Sequence, residues 1–390
     1  MIISFSTLAS TLFLNSIAII ILYFFVRNKA LVFRTSIFFL YLCMFFALLR
    51  PVIPIELPFT KTIPIERIWP TIYRFIHQPL FDFADIEVSL LTILAALWIT
   101  GAIIYCLRIV IAYSMLCFRI TRMPPCTDSL IIEILDKVNI IYKKKITFKV
   151  VISEFNTPPF IFGVRHPYIV LPAVKLSAKE WNYILQHEVA HYHYGDLLKK
   201  VIIELVSAAF WWNPYLFMIK KKMDGVMEMY IDSIVTSTWS NEDKIAYMEC
   251  IIKLARMNET GMLGICKKHV VYDFASDLSI KQRIEFLINS VTNKYKPTII
   301  MKIIMLLLML FILFAPSFYV FEPKSILPEH AEGIFMITSE NAYFVLNDEG
   351  KYDIYLNGEY IYTLVEPDID GLTIYNTKGE VILKEKNPAK

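Results

Sequence analysis

The sequence predicts an α-helical membrane protein with four spanning helices, a cytoplasmic α+β module between the third and fourth, and a small β-meander tail on the outer face. Three observations predict this. The 390 residues are 56% hydrophobic and 14% aromatic, with a mean hydropathy of +0.51, too apolar for an ordinary soluble domain. Four apolar runs, 2–26, 32–49, 88–117 and 299–320, are each long enough to cross about 30 Å of hydrocarbon as a helix. Between the third and fourth runs lies a charged stretch of mixed helix and strand character.

The first run carries no charge before Arg27 and shows no small-residue cleavage site, so it reads as a retained anchor rather than a signal peptide. Arg27, Lys29 and Arg34 follow it, and Arg119, Arg122 and the Lys143-Lys144-Lys145 cluster follow the third run. Basic residues concentrate on the cytoplasmic side, which puts the N-terminus, the loop 51–87 and everything after 320 outside. The chain then divides into 1–118 (three spans and their outer loop), 119–298 (the cytoplasmic module), 299–320 (the fourth span) and 321–390 (the tail). This is the layout of a multi-pass membrane protein. The lysine cluster suits contact with anionic lipid, and nothing points to direct nucleic-acid binding. The six cysteines lack metal-site spacing and suggest no disulfide framework.

Within the module, residues 148–152 and 160–171 alternate as strands, the second broken at Gly163 and Pro167. Proline in a strand implies an edge. Such an edge is either a template for an extended peptide or simply one that the prolines close off. Then Ser177 and Glu180 form a capping box, the hydroxyl closing a helix start and the carboxylate reaching back to it. That helix carries His187-Glu188-Val189-Ala190-His191. Imidazoles four residues apart face one side and can share a metal, and the intervening Glu188 falls beside the metal's open position, where it can deprotonate a bound water.

A catalytic zinc site of this kind needs a third protein ligand. Glu228 is the best candidate, with Asp232 one turn on, placed to accept the second ring N–H of a ligating histidine. A solvated helix face is the plainer reading of that pair. A fifth apolar stretch, 201–219, lies between the histidines and Glu228 but contains Glu204 and Asn213-Pro214. Were it a span, His191 and Glu228 would face opposite sides of the bilayer, so it is expected to be a buried or membrane-skimming helix. Asp196 either orients a ligand or bonds backbone groups at a helix end. His193, about 200° round the helix from His191, points away from the metal face. Tyr192 and Tyr230 are oxyanion candidates that could equally be packing, and Trp211 and Trp212 read as anchors at the interface or in the core. Residues 257–279 read as an exposed loop before a helix at 280–288.

The series His187-Glu188-Val189-Ala190-His191, Asp196, Trp211-Trp212-Asn213-Pro214 and Glu228-x-x-x-Asp232 resembles the membrane metallopeptidases of the BlaR/MecR type, the sensor-transducers that control β-lactam resistance. Residues 163–172 look like that family's glycine-to-proline strand leading into the zinc helix. The resemblance implies a gluzincin-like zinc metallopeptidase module in which His187, His191 and Glu228 hold Zn2+, Glu188 is the general base, and Asp232 supports a ligand. Where the family usually has Cys before that Asp, Ile231 stands here. The resemblance also implies a repressor-like cytoplasmic protein as substrate, and self-cleavage in a cytoplasmic segment such as 257–279.

The tail holds six lysines, thirteen acidic residues and no arginine after residue 320, in keeping with an outer location. Asn357-Gly358 predicts a hairpin between flanking alternating arms, and Asn376-Thr377-Lys378-Gly379 a second. Ser325 and Ser339 have no lysine three residues on, so the tail lacks the S-x-x-K acylating serine of the family's sensor domains, and direct β-lactam sensing is not expected. The leading expectation is a membrane zinc endopeptidase that relays an envelope signal by cleaving a cytoplasmic regulator. The rivals are a constitutive quality-control protease resembling the HtpX or CAAX-processing type and a non-enzymatic membrane receptor.

Overall fold

The first helix, α1 (Phe5–Arg27), is largely apolar but carries a polar stripe: Ser6, Thr7, Ser10, Thr11 and Asn15 recur at helical spacing and are buried. Polar groups of this kind bind helices together where apolar contact alone gives little preference. Asn15 Nδ2 donates to the Ala47 carbonyl at 2.9 Å, and Ser10 accepts from the Phe321 N–H at 2.8 Å. The computed structural model describes residues 5–54, 60–65, 71–72, 75–76, 78–83, 86–142, 146–153, 158–259, 277–323, 342–347, 351–356, 358–364, 373–376 and 381–383. They fall into two compact units, 1–323 and 324–390.

The second predicted span is divided. α2 (Lys29–Arg34) stops at Thr35, whose hydroxyl bonds back to the Leu31 carbonyl at 2.8 Å and whose backbone is extended. α3 (Ile37–Leu49) restarts after Ser36. Its 13 residues rise only about 20 Å. Short hydroxyl side chains that bond the preceding turn favour such a break. β1 (Lys61–Ile65) follows, and then the antiparallel pair β2 (Pro79–Phe83) and β3 (Ile86–Ser89) leads straight into α4 (Leu90–Ile120), capped by Ser89 and Thr92.

Beyond α4, α5 (Ser129–Ile141) packs on a three-stranded sheet, β4 (Lys149–Ser153), β5 (Phe160–Phe162) and β6 (Tyr168–Pro172), in the order β4-β6-β5. β6 runs parallel to β4 and antiparallel to β5, so the central strand is the most buried. The outer side of β4 is bridged by the Pro124–Cys126 stretch, through Cys126 N to the Val150 carbonyl and Ile152 N to the Pro124 carbonyl. β5 is therefore the strand of this sheet with a free side among the described residues, and it lies against the next helix.

That helix is α6 (Ala178–His193), followed by α7 (Asp196–Ala209) and α8 (Pro214–Val235). The fifth apolar stretch is thus two helices, broken at 210–213 where Asn213 accepts from Tyr215 N and Leu216 N and Pro214 opens α8. The buried side of α8, with Leu216, Ile219, Met223, Val226 and Met227, packs into one apolar core with α1 and α3. Next come α9 (Asn241–Glu259), α10 (Asp277–Thr292), α11 (Ile299–Phe318) and β7 (Tyr319–Pro323), which pairs in parallel with β1. α1, α4 and α11 are the helices long and apolar enough to cross a membrane among the described residues. The segment expected to carry a self-cleavage site lies largely outside the described residues.

The second unit holds one five-stranded sheet of β8 (Ala342–Leu346), β9 (Tyr352–Leu356), β10 (Glu359–Leu364), β11 (Thr373–Asn376) and β12 (Val381–Leu383). Both predicted hairpins form, with Gly358 at φ +86°, a left-handed turn conformation that suits glycine. The meander does not. β11 pairs in parallel with β8, giving the order β10-β9-β8-β11-β12. Placing β8 at the centre hydrogen-bonds both its sides and buries Ala342 and Phe344, which a sequential meander would leave on an edge strand.

Candidate metal centre

The capping box predicted from the sequence is present: Glu180 N donates to Ser177 Oγ at 3.2 Å, and Ser177 N to Glu180 Oε2 at 2.7 Å. Glu180 Oε1 also meets Lys253 Nζ at 2.7 Å, tying α6 to α9. α6 then runs through three turns into the core, where His187, Glu188 and His191 are only 5%, 7% and 6% exposed. Buried polar groups in such numbers need partners.

His187 and His191 turn their Nε2 atoms toward each other at 3.1 Å, and Glu228 from α8 faces both, at 3.2 Å from His187 Nε2 and 3.4 Å from His191 Nε2. Ligands held 2.0–2.1 Å from one tetrahedral zinc would lie about 3.3 Å apart. The three donors therefore have the spacing that a shared ion requires, and they lie within 4.8 Å of one another. Their chemistry fits too: two imidazoles and one carboxylate, with room for a fourth ligand in the tetrahedral scheme.

The far nitrogens are held as well. His191 Nδ1 lies 2.9 Å from Asp196 Oδ2, and Lys199 meets Asp196 at 3.2 Å. Gly195, left-handed at φ +72°, turns the chain between α6 and α7 so that Asp196 returns to the ring one turn above it. His187 Nδ1 lies 3.2 Å from Asp232 Oδ1 and 3.0 Å from Tyr247 Oη, which itself donates to Asp232 at 2.8 Å. Carboxylates on the outer ring nitrogen fix the tautomer that leaves Nε2 free as a donor to metal.

Arg283 on α10 completes the cluster, with Nε 2.8 Å from Asp232 and Nη1 3.1 Å from Glu228. Burial alone would raise the Asp232 carboxyl, but the Arg283 charge and the His187 hydrogen bond bring it down to about 2. Glu228 is likewise driven well below the ordinary carboxylate range, against burial, by His191 and Arg283. Burial opposes protonation of His191, yet the charge of Glu228 and the Asp196 bond raise it to about 10. With neutral imidazoles, Glu188, Asp196, Glu228 and Asp232 outnumber Arg283 and Lys199 by two charges, the amount a divalent cation cancels.

The remaining candidates lie elsewhere. His193 stacks on Tyr142 at 4.3 Å, away from the three donors as its position on the helix requires. Tyr192 donates to the Val164 carbonyl at 2.9 Å, and Tyr230 stacks on Tyr41 at 5.0 Å. Trp211 donates to the Trp98 carbonyl and Trp98 to the Ala209 carbonyl, joining α4 to the end of α7. Tyr247 and Arg283 were not foreseen from the sequence. A signal existed for Arg283: it shares a helical stripe with Ile280 and Leu287, and a charge on an apolar stripe calls for a buried partner.

Residues 6–287 match the BlaR1 peptidase M56 family. The methicillin resistance mecR1 protein of Staphylococcus aureus is 28% identical over 149 residues, 37% of this chain and 25% of that protein, and the same protein of Staphylococcus epidermidis matches to the same extent. Regulatory protein BlaR1 of Bacillus licheniformis is 31% identical over 123 residues, 30% of this chain and 20% of its own length. The matched stretches thus span about a quarter or less of these relatives. The family match covers most of the chain and takes in α6, α8 and Arg283, and the chain therefore belongs to the BlaR1 peptidase M56 family.

Proposed function

We propose that this membrane protein is a zinc endopeptidase of the gluzincin type that relays an envelope signal by cleaving a cytoplasmic, repressor-like regulator. The observation that carries the proposal is the convergence of His187, His191 and Glu228, with Glu188 buried and its charge acting on His191. In this reading His187, His191 and Glu228 hold the ion, while Asp196 and Asp232 orient the two rings. Zinc, when bound, supplies Lewis acidity that polarises the scissile carbonyl and eases ionisation of a water. Glu188 accepts the proton of the attacking water and then delivers it to the leaving amine. β5 has a free side among the described residues and contacts α6, so in this reading an extended substrate segment adds there as a further strand with its carbonyl toward the donors.

The proposed layout has four crossings, with the short apolar α3 completing the count and the metal centre on the cytoplasmic side. Basic residues after the first and third apolar runs support that sidedness. Lipid is a partner along the exposed face of α4, and the chain itself is a second substrate where a cytoplasmic loop reaches the site.

The test compares wild type with Glu188→Ala in the native membrane by substrate-trapping proteomics, with zinc content measured in both. One cytoplasmic regulator that accumulates intact in the variant alone is the expected result. Many stabilised membrane proteins would favour a quality-control protease, and an unchanged proteome would overturn the enzymatic reading.

A further inference from the structure

Arg283 is shared among several groups of the metal centre. Nε donates to Asp232 Oδ2 at 2.8 Å and Nη2 to Asp232 Oδ1 at 2.9 Å, a two-pronged contact along the guanidinium edge. Nη1 lies 3.1 Å from Glu228 Oε2, and Nη2 also donates to Tyr247 Oη at 2.9 Å. The side chain is 13% exposed, so these contacts are made out of water, where charge-assisted hydrogen bonds are strongest.

The arrangement answers a problem set by α8. Glu228 and Asp232 are four residues apart on one helix face, and like charges at that spacing repel. Both carboxylates must also be aimed, one at the ion and one at the His187 ring, although glutamate has three rotatable bonds. A planar guanidinium is suited to span both at once, whereas an ammonium is a single point charge. α10 is seated closely enough to deliver it: a Cβ at Gly225 of α8 would fall 2.9 Å from Gln282 Oε1, next to Arg283 in sequence.

We infer that Arg283 is a positioning residue for the metal centre, clamping Glu228 and Asp232 so that the third ligand and the His187 ring take their places only when α10 is docked on α8. The inference rests on the His-His-Glu metal reading proposed above. Tyr247 extends the clamp, since its hydroxyl touches Arg283, Asp232 and His187 together. α10 continues through residues 293–298 into α11, where Asn289 brackets Tyr295 through its carbonyl and N–H at 3.0 and 2.8 Å. The clamp thereby connects the metal ligands to a helix long enough to cross a membrane.

The test uses the full-length protein in detergent, stripped of metal and titrated with cobalt(II), whose visible spectrum reports the ligand set independently of peptidase activity. Affinity is read by competition with a chelator. Arg283→Met should weaken cobalt binding by about 10- to 100-fold and alter the spectrum, as losing an outer partner of a metal ligand does. Arg283→Lys, which keeps the charge and is the milder change should the methionine variant fail to fold, should recover part of the affinity but not the wild-type spectrum. Tyr247→Phe should show a smaller loss of the same kind, while Glu188→Gln, which leaves the three donors intact, should bind cobalt as wild type does. Unchanged affinity and spectrum in Arg283→Lys, or a full rescue by lysine of a defect seen with methionine, would overturn the clamp while leaving the metal reading standing. Absence of cobalt binding by the wild type would overturn both.

Discussion

Glu228 and Glu188 both act electrostatically on His191, yet their surroundings differ, and the proposed metal site gives them different tasks. Glu228 touches both Nε2 atoms, while Glu188 has neither contact. Glu228→Ala should therefore abolish stoichiometric zinc, measured by elemental analysis of the purified protein. Glu188→Gln should keep the zinc and lose about 100-fold or more in cleavage rate, the usual contribution of a positioned proton acceptor. The histidines make a second prediction. Without metal, the charge of Glu228 and the bond to Asp196 hold His191 protonated up to about pH 10. A cation must displace that proton, so metal uptake at neutral pH should release protons and affinity should rise with pH toward that value. Calorimetric titration in buffers of different ionisation enthalpy measures the release, and a buffer-independent heat would refute it. At this scale the three converging donors were legible, because a histidine pair and a glutamate–aspartate pair each lie within two turns of one helix. Arg283 and Tyr247 were not, since they reach His187 from 96 and 60 residues away in sequence.

Among the elements, α6 was the most readable because its start, its length and its metal face are all encoded locally. Ser177→Ala removes half of the capping box and should cost about 1 kcal/mol. The measurement is the thermal midpoint of the purified protein, with zinc content expected to hold. The junction between α4 and α7 depends on contacts that no local pattern reveals. Gly101 on α4 faces the Trp211 indole so closely that an added Cβ would fall 2.2 Å from the ring. Small residues let helices approach in this way inside a membrane. Gly101→Leu should push Trp211 away and lower the midpoint by more than the cap variant does, while Gly101→Ala should show a weaker form of the same defect. The apolar run at 32–49 was misread as continuous for a related reason. Thr35 hardly changes its hydropathy, but its hydroxyl takes the Leu31 carbonyl and its extended backbone ends the helix there.

Across the whole molecule, α8 is held at two places that a metal site would have to keep in register. Near its C-terminal end are Glu228, Asp232 and the contacts from α10; two turns before Glu228, Lys220 meets Glu204 of α7 at 2.7 Å, with Tyr105 of α4 3.4 Å from Lys220 and 3.3 Å from Glu204. Ion pairs among apolar helices are costly unless both members are present, because each charge is desolvated and relies on the other. Neither side chain is more than 20% exposed, so screening by water is limited. Lys220→Met should thus destabilise the protein by about 3 kcal/mol, since the partly buried Glu204 would be left without its principal cation. Adding Glu204→Gln to that variant removes the stranded charge and should recover at least half of the loss, even though it deletes a second native group. Denaturation of the single and double variants in detergent measures the difference. If the double variant proves as unstable as the sum of its parts, the pair is not what joins α4, α7 and α8, and the apolar contacts around it must carry that junction.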